Sequence, residues 1–367
     1  MTSRQDQAPG RQQPAGQQAL AGPDAGGMLV HSGVRRPDAP CSPLSAADVA
    51  AVVAMAGRAP SVHNTQPWRF AIHDSAIDLL ADTSRLLPSI DPDGRELMIS
   101  CGAALFGLRL GLRSRGRLPV AHLQPDTARP WLLARVLAEG HAGVAPAETE
   151  LIAAVPHRHT HRGAFSPSEV PARLLDVLVA EAAVEGAELI LVTSPAEIAA
   201  LSELARAAAA EQQASAGIRA ELSQWVRPAG SQARDGVPAR ARLSDGQQAE
   251  PADQWLPRRL FGQPGTEVTG DEPPGAVAVL VTSGDVTADW LRAGQALNRL
   301  LLRAASRWVF ASLQSQPLEL PRYRQEVRSL VRRDADPQML LQFGRSNTAP
   351  ATPRRPLAAL VTKDPDG

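Results

Sequence analysis

Two polar clusters hold the residues with which this chain could do chemistry. The first lies in "RAPSVHNTQPWRF", residues 58–70. There Ser61, His63, Asn64, Thr65 and Gln66 crowd into six positions and run directly into Pro67, Trp68, Arg69 and Phe70. Ser61 and His63 stand two apart and share a face in an extended chain. No nearby Asp orients the imidazole, however, and there is no GxSxG elbow, which argues against a serine nucleophile. A rigid turn whose amides cap backbone groups is the plain structural alternative. It has no use for Asn64, Gln66 and Arg69 together around an indole. A planar heterocycle such as an isoalloxazine uses all of them, because it needs amides along its hydrogen-bonding edge and a dry wall against its face.

The second cluster is "HRHTHR", residues 157–162. Alternate positions of an extended run share a face. His157, His159 and His161 could therefore offer three imidazoles to a metal, while Arg158, Thr160 and Arg162 form a guanidinium–hydroxyl clamp suited to phosphate. No carboxylate-rich surround and no HExxH accompany the histidines, so the phosphate reading is favoured over the metal. A solvated basic loop remains the third alternative.

The elements that must position these clusters follow from periodicity. Residues 1–43 are rich in Gln, Gly, Pro, Ala and Asp, lack large apolar side chains, and are expected to be a disordered tail. Ser45 and Asp48 form a cap, and Val49, Val52 and Val53 give a helical face that ends at Gly57. "WRFAIHD" and "IDLLAD" read as paired strands, "GRELMISCGAALFGLRLGLRSRG" as a long buried helix, and "LPVAHLQP" and "WLLARVLAEG" as strands. A second series starts near residue 149. It comprises a short helix, the basic run, a helix with Pro171 near its start, the strand "AELILVTS", a helix from 195 to about 212 and a further helix in "IRAELSQWVR". Residues 228–274 form a long irregular excursion between Trp225 and the next strand, with Trp255 inside it, as expected of a lid. The chain closes with strand "AVAVLVTS", helix 287–307, strand "WVFASLQS", helix 319–333, strand "QMLLQFG" and a tail.

A shift of 192 positions superposes the two series. Gly102 meets Gly294, Ala104 meets Ala296, Leu105 meets Leu297, and Gln124-Pro125 meets Gln316-Pro317, within nine identities over 24 positions. An internal duplication is expected. The implied division is a tail over 1–43, a first half over 44–148, and a second half over 149–367 with an inserted lid over about 215–274.

Composition narrows the partners. With 367 residues, 44% apolar content and 38 basic against 38 acidic side chains, the chain is globular and carries no net field toward nucleic acid or an anionic membrane. Of the 38 basic residues only Lys363 is a lysine, leaving 37 arginines, so a lone Arg says little, and no Walker A loop is possible. Cys41 and Cys101 show neither CxxC spacing nor disulfide density, and no signal peptide or membrane-spanning run is read. A cytoplasmic location is expected.

"APSVHNTQPWRF" is similar to the APSxxNxQPWxF stretch of the FMN-dependent nitroreductase superfamily, and "RHTHRGAF" to its RRSxRxF phosphate motif. In an ordinary member the arginine motif precedes the first helix, the amide motif follows it, and two identical subunits share each flavin. Here the amide motif occurs only in the first half and the arginine motif only in the second, where "VEGAELILV" replaces the amide motif. The resemblance implies an α+β fold duplicated in one chain, a pseudo-dimer of two sheets flanked by helices with one composite FMN site. Over about residues 44–360 the chain resembles the double-length Acg-like branch, which also carries "GRELMISCGAALF", a "RDGVP" (Arg234–Pro238) and a terminal "TPRRP".

By the same resemblance Gln66, Pro67, Trp68, Arg69 and Phe70 line the flavin, with Ser61, His63 and Asn64 in the approaching turn. Arg158, Thr160, Arg162 and Arg354 neutralise the phosphate. His159 stands where an Arg is usual, which makes one charge pH-dependent. "VRRPDAP" at 34–40 is too degenerate to be a second arginine motif. The implied activity is an NAD(P)H-dependent oxidoreductase in which the flavin, and no side-chain acid or base, carries electrons to a nitroaromatic or quinone. A GxGxxG is not needed, since the nicotinamide stacks on the flavin. The rival is an FMN-sequestering protein whose lid blocks turnover. A small-molecule electron acceptor is the expected partner, and a monomer or weak homodimer the expected state.

Overall fold

A computed structural model describes residues 43–162, 165–166, 168–228, 230–238, 275–332, 334–346 and 352–362. The expected tail up to residue 42, "VRRPDAP", Cys41, Trp255, Lys363 and the 239–274 part of the expected lid lie outside the described residues.

Helix α1 (Ala46–Ala56) starts at the expected cap, where the Ser45 hydroxyl oxygen accepts from the Asp48 amide at 3.1 Å. It buries Val52, Val53 and Ala56. Strands β1 (Trp68–Ile72) and β2 (Ala76–Ala81) follow, then helix α2 (Arg95–Ser114) and strands β3 (Arg117–Leu123) and β4 (Leu132–His141). Antiparallel pairings join β1 to β2, β2 to β4 and β4 to β3.

After α3 (Pro146–Ala154) and α4 (Ala172–Val184) come β5 (Glu188–Val192), α5 (Pro195–Ala214) and α6 (Ala216–Gln224). Two-residue strands β6 (Val226–Arg227) and β7 (Val237–Pro238) pair with each other in parallel. The chain resumes with β8 (Ala276–Thr282), α7 (Thr287–Ala305), β9 (Val309–Gln314), α8 (Gln316–Glu319), α9 (Pro321–Val331) and β10 (Asp336–Arg345). It closes with α10 (Leu357–Leu360) and β11 (Val361–Thr362). The second sheet runs β5-β8-β10-β9 and the first β11-β1-β2-β4-β3. In both, the strands lie in the order first, second, fourth, third, with a long helix between second and third. The C-terminal β11 does not extend the second sheet. It pairs in parallel with β1, Phe70 opposite Val361, and ties the end of the chain to the first half.

The long helices form the centre. By length and composition α2 could cross a membrane, but it is packed inside the fold, with Cys101, Ala103, Ala104, Leu105 and Leu108 fully buried. It crosses α7 at two glycines. A Cβ on Gly102 would fall 2.2 Å from the Leu291 carbonyl oxygen, and one on Gly294 would fall 2.0 Å from that of Ile99. Such an approach admits no side chain larger than hydrogen. The contact is reciprocal, because Ile99 and Leu291 are related by the same 192-residue shift that relates the two glycines. Across this seam the Asn298 amide donates to the Ala103 carbonyl at 2.8 Å, and Arg109 donates to Gln295 at 2.7 Å.

Element ends differ from the periodicity where tertiary pairing intervenes. β1 stops at Ile72, α7 at Ala305, and α9 begins at Pro321. The helix read through "IRAELSQWVR" ends at Gln224, because Val226 and Arg227 are drawn into pairing with Val237 and Pro238.

Candidate functional site

The amide stretch leaves α1 through Gly57 and Arg58, forms a single 3-10 turn over Val62–Asn64, and enters β1 at Trp68. Three of its residues hold left-handed backbone: His63 at φ 44°, Asn64 at 57° and Gln66 at 51°. Non-glycine residues adopt this region at a cost of about 1–3 kcal/mol each and persist there only when their surroundings over-determine them. The surroundings here are hydrogen bonds. The Gln66 amide donates to the Ser61 hydroxyl at 3.0 Å, and Arg85 donates to the Thr65 carbonyl at 2.8 Å.

The side-chain amides are spent on two distant segments of the same chain. Asn64 Nδ2 donates to the carbonyls of Gly236 (3.0 Å) and Pro353 (3.1 Å), and its Oδ1 accepts from Arg354 at 3.1 Å. Gln66 Nε2 donates to the Arg234 carbonyl at 2.9 Å, and its Oε1 accepts from the Arg355 amide at 2.8 Å. Gln66 is fully buried. "RDGVP" and "TPRRP" thus close over the amide turn from two sides. A strap clamp holds the first of them. Arg85 and Arg227 both lie over the Trp225 ring, at 5.9 and 5.6 Å, and both donate to Asp235, at 2.9 and 2.7 Å.

Of the residues expected to line a ring, Trp68 and Phe70 point into the first-half core and are fully buried. The Trp68 Nε1 is buried there without a hydrogen-bond partner, as is the Thr65 hydroxyl. Pro67 accepts from the Cys101 thiol and the Asp82 amide through its carbonyl. Arg69 points the other way, half exposed, and pairs with Asp82 at 3.1 Å. Burial drives the Asp82 carboxyl upward, but Ser84 and Arg69 outweigh it and hold it below the usual value. The expected ring-lining residues therefore divide between the core, the strap contacts and the surface.

The arginines do converge. The Arg58 carbonyl oxygen accepts from Arg158 Nη2 at 2.9 Å and from Arg354 Nη2 at 3.2 Å, and Ala59 accepts from the latter at 3.3 Å. Thr352 fixes Arg354 further, its hydroxyl accepting at 2.6 Å. Around this junction a small cleft that opens to solvent is lined by Arg58, His157, Arg158, His159, Thr352 and Arg354 with Pro156. Among the described residues no carboxylate lines it. Arg158 Nη1 and Arg354 Nε are buried without a hydrogen-bond partner. Burial lowers the guanidinium of Arg158 to about 10 and that of Arg354 to about 9, with repulsion from the neighbouring arginines adding to it. Burial lowers Arg162 to about 10. All three remain cationic at neutral pH. Arg158 and Arg354 thus combine buried positive charge with donors to spare, which suits an anionic ligand.

Thr160 bridges to Ala311 on β9 and thereby fixes the basic segment along the edge of the second sheet. The three histidines do not converge on one point: His157 lies tilted against Trp308 at 5.5 Å and His159 against Phe310 at 4.2 Å, His161 stacks on Phe165 at 4.4 Å, and the His159 and His161 rings meet edge-on at 6.1 Å. Among the described residues no group of three metal-ligating side chains converges. Sequence reading passed over Arg58, Thr352 and Arg355. Arg58 opens the quoted stretch, and only the abundance of arginine hid it.

No protein-family model matches the chain. It is 34% identical over 327 residues to "Putative NAD(P)H nitroreductase Rv3131" of Mycobacterium tuberculosis, covering 85% of this chain and 90% of that protein. It is 28% identical over 329 residues to "Putative NAD(P)H nitroreductase acg" of the same species, covering 84% and 93%. Among solved structures, the FMN-dependent nitroreductase NfnB from Mycobacterium smegmatis in complex with NADPH is 18% identical, covers 59% of this chain and 98% of its own, and has a TM-score of 0.35. A nitroreductase with bound FMN from Bacteroides fragilis is 12% identical, with coverages of 56% and 94% and a TM-score of 0.34. At 34% identity along 90% of Rv3131, the chain belongs to the nitroreductase superfamily, in its Acg-like branch.

Proposed function

We propose that this chain is an FMN-binding oxidoreductase that draws on NAD(P)H, with its single flavin site shared between the two halves of a fused pseudo-dimer. One observation carries the reading: a cleft with no carboxylate among its described lining residues, in which Arg158 and Arg354 keep buried donors without partners. A phosphate monoester satisfies those donors and offsets the repulsion among the arginines. The curated relatives named as NAD(P)H nitroreductases agree with it. When bound, FMN supplies hydride transfer from NAD(P)H to an acceptor of nitroaromatic or quinone type. The chain's own residues bind and orient: Arg58, Arg158, Arg162 and Arg354 hold the phosphate end, and the Ser61–Gln66 turn approaches from the other half.

The duplication is supported by the shared strand order of the two sheets and by the reciprocal crossing of Gly102 and Gly294. The interface that a homodimer would use already lies inside the chain, which favours a monomer or weak homodimer. The free, buried Cys101 suits a reducing, cytoplasmic setting.

A second reading, flavin sequestration, is favoured by the strap: Asn64 and Gln66 are bonded to Gly236 and Arg234 rather than left open. In that reading residues 225–238 bar the nicotinamide. The absorbance spectrum of the purified protein tests the cofactor, and a colourless protein that does not bind added FMN overturns both readings. Stopped-flow bleaching at about 450 nm with NADPH and NADH separates them, since a flavin that stays oxidised excludes the reductase.

A further inference from the structure

One wall of the arginine cleft carries no fixed charge. It is the imidazole of His159, only 5% exposed, with its ring packed on Phe310 of β9 at 4.2 Å. Its Nδ1 lies 3.0 Å from the His157 carbonyl oxygen. A carbonyl can only accept, so the hydrogen sits on Nδ1, and in the neutral ring Nε2 is the lone-pair nitrogen. That Nε2 is buried and has no hydrogen-bond partner.

Among the described residues, the groups around it are cationic or uncharged. Arg158 and Arg162 come from its own segment, Arg58 from the turn after α1, and Arg354 from the C-terminal tail. The His161 ring is 6.1 Å away, and β9 presents Phe310. Burial first, and then Arg158 and Arg162, push the imidazole below 6.5, against the His157 carbonyl, which favours its charged form. In the ligand-free protein His159 is therefore neutral at neutral pH, and it lines the arginine cleft with its Nε2 lone pair buried and unpartnered.

We propose that His159 is a proton-gated ligand of this anion site, so that seating a phosphate-bearing or other dianionic ligand takes up one proton at Nε2. The inference rests on the phosphate reading of the cleft. A bare Nε2 repels an anion oxygen, and a protonated one donates to it and supplies one more positive charge. Linkage gives the sign. The ligand raises the affinity of His159 for its proton, so the proton must raise the affinity for the ligand by the same factor. Ligand affinity rises as pH falls through the pKa of the complex and levels off below that of the free protein, which lies under 6.5.

Sulfate is the discriminating probe, because its own charge is constant between about pH 5.5 and 8, whereas phosphate titrates in that range. In calorimetric titrations the full-length protein should bind sulfate more tightly as pH falls, by up to about tenfold per unit, with one proton taken up per site. His159→Gln should abolish the slope and His159→Arg should keep tight binding with a flat profile. His122→Asn, at an exposed position of β3 outside the cleft, should leave the slope unchanged. A flat wild-type profile, or a slope that survives in His159→Gln, overturns the inference. Arg354→Ala distinguishes the two levels. If it abolishes sulfate binding while the wild-type profile is flat, the anion site stands and the proton gate falls. If it leaves sulfate affinity unchanged at every pH, the phosphate reading itself fails.

Discussion

Arg158 and Arg354 donate to one and the same acceptor, the carbonyl oxygen of Arg58, at 2.9 and 3.2 Å. A single backbone oxygen at the end of α1 thus registers the basic segment of the second half and the C-terminal tail against the amide turn of the first. Each guanidinium keeps further N–H groups for a ligand. Arg158→Ala and Arg354→Ala should each weaken FMN binding by about 1.5 to 3 kcal/mol, the range for a hydrogen bond to a charged group. Because the two share an anchor, the double variant should lose less than the sum. Quenching of flavin fluorescence on titration measures all three, and unchanged affinity in both single variants would put the phosphate elsewhere.

Asp235 holds the strap by accepting from both Arg85 and Arg227 around Trp225. Burial raises its carboxyl, but these two arginines outweigh burial and keep it ionised at neutral pH. Asp235→Ala leaves both guanidiniums without their carboxylate and should loosen residues 225–238 from Asn64 and Gln66. The expected outcome is faster reduction of bound flavin by NADPH in stopped flow. An unchanged or slower rate, with FMN still bound, would mean that the strap does not bar the nicotinamide.

How much of this was legible in the sequence depends on how local each signal is. Arg158, Arg162 and Arg354 could be named from short motifs, and the cap at Ser45 from a spacing of three. The use made of Asn64 and Gln66 could not. Their partners Gly236, Arg234, Pro353 and Arg355 leave no pattern near them, so amides that read as a ring edge are bonded to the chain itself. Trp68 and Phe70 illustrate the same limit from another side, since alternate positions of β1 must face a core whichever ligand is near. Arg58 was hidden by composition, because one arginine among 37, the 38 basic residues less Lys363, carries little information. The strand at Val226–Arg227 was hidden because distant pairing overrides helical periodicity.

The seam between the halves should be intolerant of even one methyl group. A Cβ at Gly102 or Gly294 would lie 2.2 or 2.0 Å from a backbone carbonyl oxygen, and backbone cannot rotate out of the way as a side chain can. Gly102→Ala and Gly294→Ala should each cost about 3 kcal/mol or more, whereas Gly143→Ala, with nothing within 4 Å of its Cβ, should cost far less. Urea unfolding of the three variants checks the ranking, and equal midpoints would mean that the helices do not cross as described.

Asp285 should contribute to acid lability. Burial raises its carboxyl, but a two-point pair with Arg324, at 2.6 and 2.7 Å, and the Trp290 indole at 2.6 Å hold it far below 3.8. A depressed folded-state pKa adds stability that is present above the unfolded value and is lost as pH falls from 3.8 toward the folded value. The pair is partly exposed, so Asp285→Asn should cost about 1 to 2 kcal/mol at neutral pH and flatten the loss of stability below pH 4. Unfolding free energies measured from neutral pH to about pH 3 decide it, and parallel curves for the two proteins would refute the assignment.

Gln338 and Gln342 lie on the same strand with opposite fortunes. Gln338 donates to Thr282 at 2.8 Å and accepts from Arg95 and Arg324, both at 3.3 Å. Gln342, opposite Ser312 on β9 and Val277 on β8, is fully buried, and neither atom of its amide has a hydrogen-bond partner. An unsatisfied buried polar group costs about 1–3 kcal/mol, and methionine keeps the length and volume of glutamine without the polar atoms. Gln342→Met should therefore raise the unfolding free energy by about that amount, while Gln338→Met, which strands the groups bonded to it, should lower it. Thermal and urea unfolding of the two variants provide the measurement. A destabilised Gln342→Met would mean that its amide is satisfied in solution, and that the contrast between the two glutamines is not one of hydrogen bonding.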